Sequence, residues 1–126
     1  MTKEKFILEF DLKSTPITLL WSYLTTANGL KEWFADNVTM SGKSVNFIWN
    51  GATQEAHIIA QRTQKYVRYH WVDDTERTYF ELKISVSEMT DNVLLSVTDF
   101  AEPDELDESK ELWIYQIDNL RRLLGC

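Results

Sequence analysis

The stretch Leu24–Val38, LTTANGLKEWFADNV, places a helix-stop signal directly before two large aromatic residues. Asn28–Gly29 favours the end of a helix, because glycine adopts the left-handed conformation of a helix end at little cost. Leu30, Trp33 and Phe34 then follow at the i, i+3, i+4 spacing of one helical face. A helix this short is not stable by itself. We therefore expect a second, very short helix that is held in place by burial of its aromatic side chains.

Upstream of this stretch, the sequence predicts one strand followed by one helix. Every second residue of the first segment is apolar, as in a half-buried strand: Phe6, Leu8, Phe10 and Leu12. Pro16, preceded by a hydroxyl residue, favours the start of a helix, because the first turn does not need its missing N–H. The next apolar residues fall on one helical face: Ile17, Leu20, Trp21 and Leu24.

Downstream of Val38, a period of two predicts a run of antiparallel strands. Asn50–Gly51 is a strong two-residue hairpin signal. A turn at Thr63–Gln64 would make every cross-strand pair on one face apolar. These pairs are Ala60 with Val67, Ile58 with Tyr69, and Ala56 with Trp71, while Val45, Phe47 and Trp49 alternate on the strand before them. Later inward faces contain Phe80, Leu82, Ile84 and Val86, then Val93, Leu95 and Val97 after a turn near Thr90–Asn92.

The C-terminal segment predicts a long amphipathic helix. Trp113, Ile117, Leu120 and Leu124 form its apolar stripe. Gly125 fits a C-cap. The order of strand, helix, short helix, about five strands and long helix predicts an α+β fold in one domain over residues 1–126.

Composition excludes several classes of function. The 126 residues are 44% hydrophobic and 13% aromatic, which suits a folded core, and the formal net charge is −7. An acidic domain without a basic patch is not expected to bind nucleic acid or an anionic membrane surface. No apolar run reaches the length of a membrane helix, and the charged start lacks the apolar core of a secretory signal. With Cys126 as its single cysteine, we expect a cytoplasmic protein.

Four features in this order resemble the START-like, Bet v 1-like (SRPBCC) superfamily of helix-grip proteins. They are the first strand leading into Trp21, NGLKEWF at Asn28–Phe34, YVRYHW at Tyr66–Trp71, and the apolar stripe that begins at Trp113. The resemblance is nearest to bacterial relatives of the Hsp90 ATPase activator C-terminal domain. It implies a curved antiparallel sheet of about six strands wrapped around a long C-terminal helix, with two short helices after the first strand.

The resemblance also implies two alternative functions. In the first, a cavity between the sheet and the C-terminal helix binds a small hydrophobic or amphipathic molecule. In the second, the interior is filled and the domain is a co-chaperone-like interaction module without a ligand. Eleven residues are candidates for the pocket: Trp33, Phe34, Phe47, Trp49, Tyr69, Trp71, Leu82, Asp99, Trp113, Ile117 and Leu120. Aromatic residues at helical spacing more often belong to the hydrophobic core. For Trp33 and Phe34, a place in the core is therefore the alternative to a place in the pocket wall.

Asp99 continues the apolar face of Val97 in the expected register. A carboxylate there would be desolvated and its pKa raised, which suits an acid, a base or a ligand anchor. The simpler alternative is an aspartate at a strand end that meets solvent or caps a loop. Four aromatic residues with a polar group can also face inward: Tyr69, Tyr115, Trp49 and Trp71. Their hydroxyl or indole N–H groups would then bond to a ligand or to the backbone. A cyclase- or hydratase-like enzyme using Asp99 with a tyrosine is a third hypothesis, but no catalytic constellation is recognisable.

Other motifs point to no cofactor or metal. His57 and His70 become cross-strand neighbours, but on the face that should be wet and without further ligands for a metal. SGKS at Ser41–Ser44 lacks the glycine of a phosphate loop, since Asn37 occupies that position. The acidic residues between Glu102 and Glu108 lack the spacing of a calcium loop. A turn and a solvated loop are the better interpretations.

Overall fold

A computed structural model describes residues 2–75 and 77–126. Its elements in chain order are β1 (Glu4–Asp11), α1 (Ile17–Thr25), α2 (Ala27–Trp33), β2 (Asn37–Ser41), β3 (Ser44–Trp49), β4 (Ala52–Arg62), β5 (Tyr66–Trp71), β6 (Phe80–Val86), β7 (Val93–Ala101), a 3₁₀ turn (Pro103–Glu105) and α3 (Leu106–Leu124). This order confirms the predicted α+β architecture with two short helices after the first strand and a long helix at the end.

The strands form one antiparallel sheet in the order β1-β7-β6-β5-β4-β3-β2. Strands β2 to β7 follow one another as hairpins, and β1 crosses to pair with β7. Helices α1 and α2 span this crossover, and α3 lays its buried residues Trp113, Ile117 and Leu120 over the apolar face of the sheet. The described residues contain seven strands, not about six, because Asn37–Ser41 pairs with β3 along its whole length.

Alternating burial along the central strands separates an inner from an outer face. On the inner face Leu82 pairs with Val97 and Ile84 pairs with Leu95, and all four side chains are buried. Val86 was predicted to share this face but is 48% exposed. It is the last residue of β6, where the strand passes the edge of the core.

The register between β4 and β5 differs from the prediction at one pair. Ile58 faces Tyr69 and Ala56 faces Trp71 as predicted, but Ala60 faces Arg68 instead of Val67. The connecting turn runs through Thr63–Lys65 and is longer than the predicted one. An irregularity between Ile58 and Ala60 absorbs the additional residue, so the expected pairing returns beyond it.

The turn at Asn50–Gly51 and the cap at Gly125 are confirmed. Asn50 and Gly51 both have positive φ, at 49° and 79°, as a tight hairpin between β3 and β4 requires. Gly125 has a φ of 77°, and the N–H of Cys126 donates to the carbonyl of Arg121 at 3.0 Å. The helix α3 therefore ends with the left-handed cap that its sequence indicates.

The interpretation of Asn28–Gly29 as the end of the first helix is wrong. Helix α1 ends at Thr25, and Thr26 then caps α2 by accepting a hydrogen bond from the N–H of Gly29 at 2.9 Å. Gly29 thus lies inside α2. A Cβ at this position would lie 2.2 Å from the carbonyl oxygen of Ser22 and 2.6 Å from Cα of Tyr23. Glycine is needed because the two helix backbones touch there.

Replacing Gly29 with alanine should destabilise the protein. Alanine gains about 1 kcal/mol in helix propensity, but the clash with backbone atoms of α1 forces the helices apart, and overpacking of this kind costs about 1–3 kcal/mol. We expect a net loss in the free energy of unfolding, measured by urea denaturation. Asn28→Ala, at the exposed neighbouring position, is the control and should change stability by less than about 0.5 kcal/mol. Equal stability of Gly29→Ala and wild type would contradict the close helix contact.

Candidate ligand-binding cavity

The C-terminal end of α2 fixes the position of Phe34. The indole N–H of Trp33 donates to the carbonyl of Tyr23 at 2.8 Å, which joins α2 to α1. The carbonyl of Phe34 accepts two hydrogen bonds, from Nε1 of Trp49 at 2.9 Å and from Nε2 of Gln116 at 3.2 Å. The end of α2 is thereby bonded to β3 and to α3 at one atom.

Five aromatic side chains contact one another in a closed circuit at this point. We call them the five-ring cluster: Phe34, Trp49, Trp71, Phe80 and Trp113. Successive ring centroids around the circuit are 5.5, 6.0, 5.4, 5.7 and 5.6 Å apart. Such distances are typical of favourable aromatic contacts. Phe47 is fully buried and contacts the rings of Phe34 and Trp71 at 5.1 and 5.4 Å. The cluster is therefore supported by the core.

A cavity of about 490 Å³ opens over the five-ring cluster. It lies between the sheet, the end of α2 and the first half of α3. Its lining consists of the five aromatic residues together with Asn50, Gln54, Asp99, Leu112 and Gln116. Asn50, Gln54 and Leu112 are exposed and mark the mouth. Helix α3 is packed against the sheet further along, where Ile117 and Leu120 are fully buried.

Asp99 brings a carboxylate to this aromatic wall. Its Oδ2 accepts a hydrogen bond from Nε1 of Trp113 at 2.8 Å, and its Oδ1 accepts one from the N–H of Phe100 at 2.7 Å. Burial raises the pKa of Asp99. These two hydrogen bonds and the charge of Lys3 oppose the increase, whereas the charge of Asp74 adds to it.

The predicted pocket residues divide into two groups. Five line the cavity: Phe34, Trp49, Trp71, Asp99 and Trp113. Six lie in the buried core and do not line it: Trp33, Phe47, Tyr69, Leu82, Ile117 and Leu120. The cavity is confined to one end of α3, so side chains further along the helix stripe pack against the sheet instead. Ligand contact by any of these residues stays a prediction.

The tyrosines do not join Asp99. Tyr69 is fully buried and donates its hydroxyl to the carbonyl of Leu24 at 2.7 Å, and burial raises its pKa. Tyr115 was considered as an inward side chain but is 64% exposed on α3. Among the described residues that line the cavity there is no tyrosine. The pairing that the enzyme hypothesis requires is therefore not formed.

Sequence reasoning missed five lining residues: Asn50, Gln54, Phe80, Leu112 and Gln116. Gln54 precedes Ala56 by two positions, so the strand period already placed it on the inner face. Gln116 follows Trp113 by one helical turn, which indicates the same helix face. Phe80 was assigned inward but not to the pocket. Leu112 carries no such signal, because it lies outside the apolar stripe predicted for α3.

The two histidines are neighbours in the sheet, as predicted. His57 pairs with His70. Nε2 of His57 lies 3.4 Å from a carboxylate oxygen of Glu55, and Nδ1 of His70 lies 2.7 Å from the carbonyl of Thr78. Residues 2–75 and 77–126 contain no group of three or more metal-ligating side chains.

None of the helices in these ranges is long and apolar enough to cross a membrane.

A curved antiparallel sheet packed on a long C-terminal helix is the helix-grip architecture, which defines a class of proteins. The sequence also matches the family model of this class. The family model of the START-like superfamily domain matches residues 1–126. The chain belongs to the START-like superfamily. No curated protein matches the chain.

Solved structures resemble the chain over nearly its whole length. A Bacteroides fragilis protein studied by solution NMR is 42% identical, covers 98% of this chain and 92% of its own, and has a TM-score of 0.66. The Aha1 dimer from Colwellia psychrerythraea is 18% identical over 96% of each chain, with a TM-score of 0.79. A Mesorhizobium loti crystal structure is 17% identical over 97% of each chain, with a TM-score of 0.76. The last two show the fold alone.

Asp99→Asn should remove a pH dependence of stability. Because the native pKa is raised, the native state binds more protons than the unfolded state between the two pKa values. The free energy of unfolding therefore falls as pH rises from about 4, the pKa of an unfolded aspartate, through the native pKa. Asparagine does not titrate. The stability of Asp99→Asn relative to wild type should rise over this interval and then level off.

Urea denaturation of both proteins at a series of pH values measures this difference. The comparison cancels other titrating groups, such as Asp11 and Glu55, whose pKa values are lowered and whose contributions have the opposite sign. A difference that is constant with pH, or that falls as pH rises, would show that Asp99 is not desolvated in the native state.

Proposed function

We propose that this protein binds a small hydrophobic or amphipathic molecule in the cavity over the five-ring cluster. The observation that carries the proposal is a cavity of about 490 Å³ whose wall combines five aromatic rings with one carboxylate. Ligand sites are concave and mostly apolar, with a few polar groups that orient the ligand, and they typically measure about 300–1,000 Å³. The superfamily commonly binds hydrophobic ligands or mediates protein interactions, so the site suits the family.

The lining separates two kinds of contact. The rings of Trp49 and Trp71 supply flat apolar surface, while Asp99 and the amides of Gln54 and Gln116 supply polar groups. An amphipathic ligand can thus place its apolar body on the rings and its polar end near the carboxylate. Trp49 and Trp71 are only half-buried, so the apolar wall can be reached from solvent.

A second candidate function is a co-chaperone-like interaction module. Two observations favour it: the fold is similar to that of an Aha1 dimer, and α3 exposes the apolar side chains Leu112, Ile114 and Tyr115. In this alternative the outer face of α3 contacts a protein partner, and the cavity stays empty. A pulldown that recovers a chaperone reproducibly, and loses it in Ile114→Glu, would favour this function over ligand binding.

We propose that the protein is located in the cytoplasm. A chain with a single cysteine forms no internal disulfide, which is the usage expected in a reducing compartment. The net charge of −7 disfavours nucleic acid and anionic membrane surfaces as partners. The partner that we propose is therefore a small molecule, with a chaperone-like protein as the alternative.

Extraction of the purified protein followed by mass spectrometry tests the first function. We expect a small apolar or amphipathic molecule to be recovered in a fixed ratio to protein. A fluorescence titration with the neutral dye N-phenyl-1-naphthylamine gives a second readout that needs no retained ligand. An empty extract together with no saturable dye binding would contradict the proposal.

Trp71→Ala should weaken dye binding, because Trp71 forms part of the cavity wall. Loss of one fully used aromatic contact of about 1–2 kcal/mol corresponds to a dissociation constant raised about 5- to 30-fold. Trp21→Ala is the matched control. Trp21 is also a half-buried tryptophan that packs against the core, but it does not line the cavity. Both variants are first checked for folding by circular dichroism. Equal weakening in the two variants would place the dye elsewhere.

A further inference from the structure

We propose that the cavity selects a positively charged organic ligand of the alkylated or quaternary ammonium class. This inference rests on the proposed function and specifies its ligand. The aromatic faces of the five-ring cluster would contact the cation, and the Asp99 carboxylate would supply the opposite charge. Three observations support it: three hydrogen-bond donors of the wall are already used, five aromatic rings line the cavity, and the charged residue in the lining is a carboxylate.

Three hydrogen-bond donors of the wall are turned to partners within the protein. The indole N–H of Trp49 and the amide N–H of Gln116 both donate to the carbonyl of Phe34. The indole N–H of Trp113 donates to Asp99. An anionic ligand needs free donors, so these three groups offer it little. The indole rings of Trp49 and Trp113 remain part of the cavity wall.

Aromatic surface attracts cations because the face of each ring is electronegative, and tryptophan is the strongest of these rings. Three of the five rings in the cluster are tryptophans. An alkylated ammonium suits such a wall better than a small hydrated cation does, because it is weakly hydrated and its alkyl groups bury apolar surface on the rings. Recognition of quaternary ammonium groups by several aromatic rings follows this principle.

Charge at the site also favours a cation. Among the described residues that line the cavity there is no lysine or arginine, and Asp99 is the acidic one. Within residues 2–75 and 77–126, the fields of Lys3 and Asp74 act on Asp99. The ammonium of Lys3 lies 2.9 Å from a carboxylate oxygen of Asp74, so these two charges oppose each other. The net charge of −7 attracts cations to the protein as a whole.

The hydrogen bonds of the Asp99 carboxylate agree with the proposed binding of a cation. Both of its oxygens accept hydrogen bonds from N–H groups, which is the arrangement that supports a carboxylate anion. Burial opposes that charge, and a cation bound in the cavity would offset the cost. Ligand binding would then stabilise the ionised form of Asp99.

Two probes of the same shape test the proposal. Choline carries a trimethylammonium group, and 3,3-dimethylbutan-1-ol is its neutral carbon analogue. Binding is followed by NMR through the indole N–H signals of Trp71 and Trp113. We expect choline to bind about tenfold more tightly than the alcohol, because a cation–π contact and the charge of Asp99 act together. Equal affinities, or no binding of choline at millimolar concentration, would overturn the proposal.

Variants identify the groups that produce the preference. Asp99→Asn keeps the shape of the side chain but removes its charge, and it should reduce the preference for choline to about twofold or less. Asp104→Asn, at an exposed position in the 3₁₀ turn, removes the same charge away from the cavity and should keep the full preference. Trp71→Leu provides a second variant, which keeps an apolar side chain and removes a π face. A preference for choline that survives both Asp99→Asn and Trp71→Leu would overturn the assignment.

The dye experiment separates this inference from the proposed function. Saturable binding of N-phenyl-1-naphthylamine without a preference for choline means that the cavity binds apolar ligands but does not select cations. Failure of the dye and of both probes rejects the binding function as well.

Discussion

The carbonyl oxygen of Phe34 is the point on which the arrangement of this protein depends. A helix ends with carbonyl groups that have no partner within the helix, and leaving one buried and unsatisfied costs about 1–3 kcal/mol. Here the carbonyl at the end of α2 accepts hydrogen bonds from β3 through Trp49 and from α3 through Gln116. The ring of the same residue stacks on Phe80 and Trp113. One residue thus joins the short helix, the sheet and the long helix.

The cavity follows from this junction. Trp49 from the sheet and Trp113 from α3 meet the ring of Phe34, and the ring of Trp71 lies beside that of Trp49. Further along α3, Ile117 and Leu120 are aliphatic and fully buried against the sheet. The same helix therefore closes one end of the interior and leaves the other open.

The sequence predicted the elements well, because local periodicity reports which face of a strand or helix is buried. It also predicted the pairing of Ile58 with Tyr69 and the hairpin at Asn50–Gly51, which are determined by nearby residues. It failed where tertiary contacts decide. Gly29 was interpreted as a helix end, but it is needed for contact between two helices, and nothing local distinguishes the two uses. The outward direction of Tyr115 and the extent of the cavity likewise depend on how α3 sits on the sheet, which periodicity describes only in part.

The contact between α2 and α3 through aromatic rings is the central claim, and NMR tests it most directly. The ring centroids of Phe34 and Trp113 are 5.6 Å apart, and the indole N–H of Trp113 is bonded to Asp99. We predict nuclear Overhauser effects between these two rings, together with slow solvent exchange of the Trp113 indole proton. Absence of these effects, with rapid exchange of that proton, would mean that α3 does not lie on the sheet as described and would contradict the account.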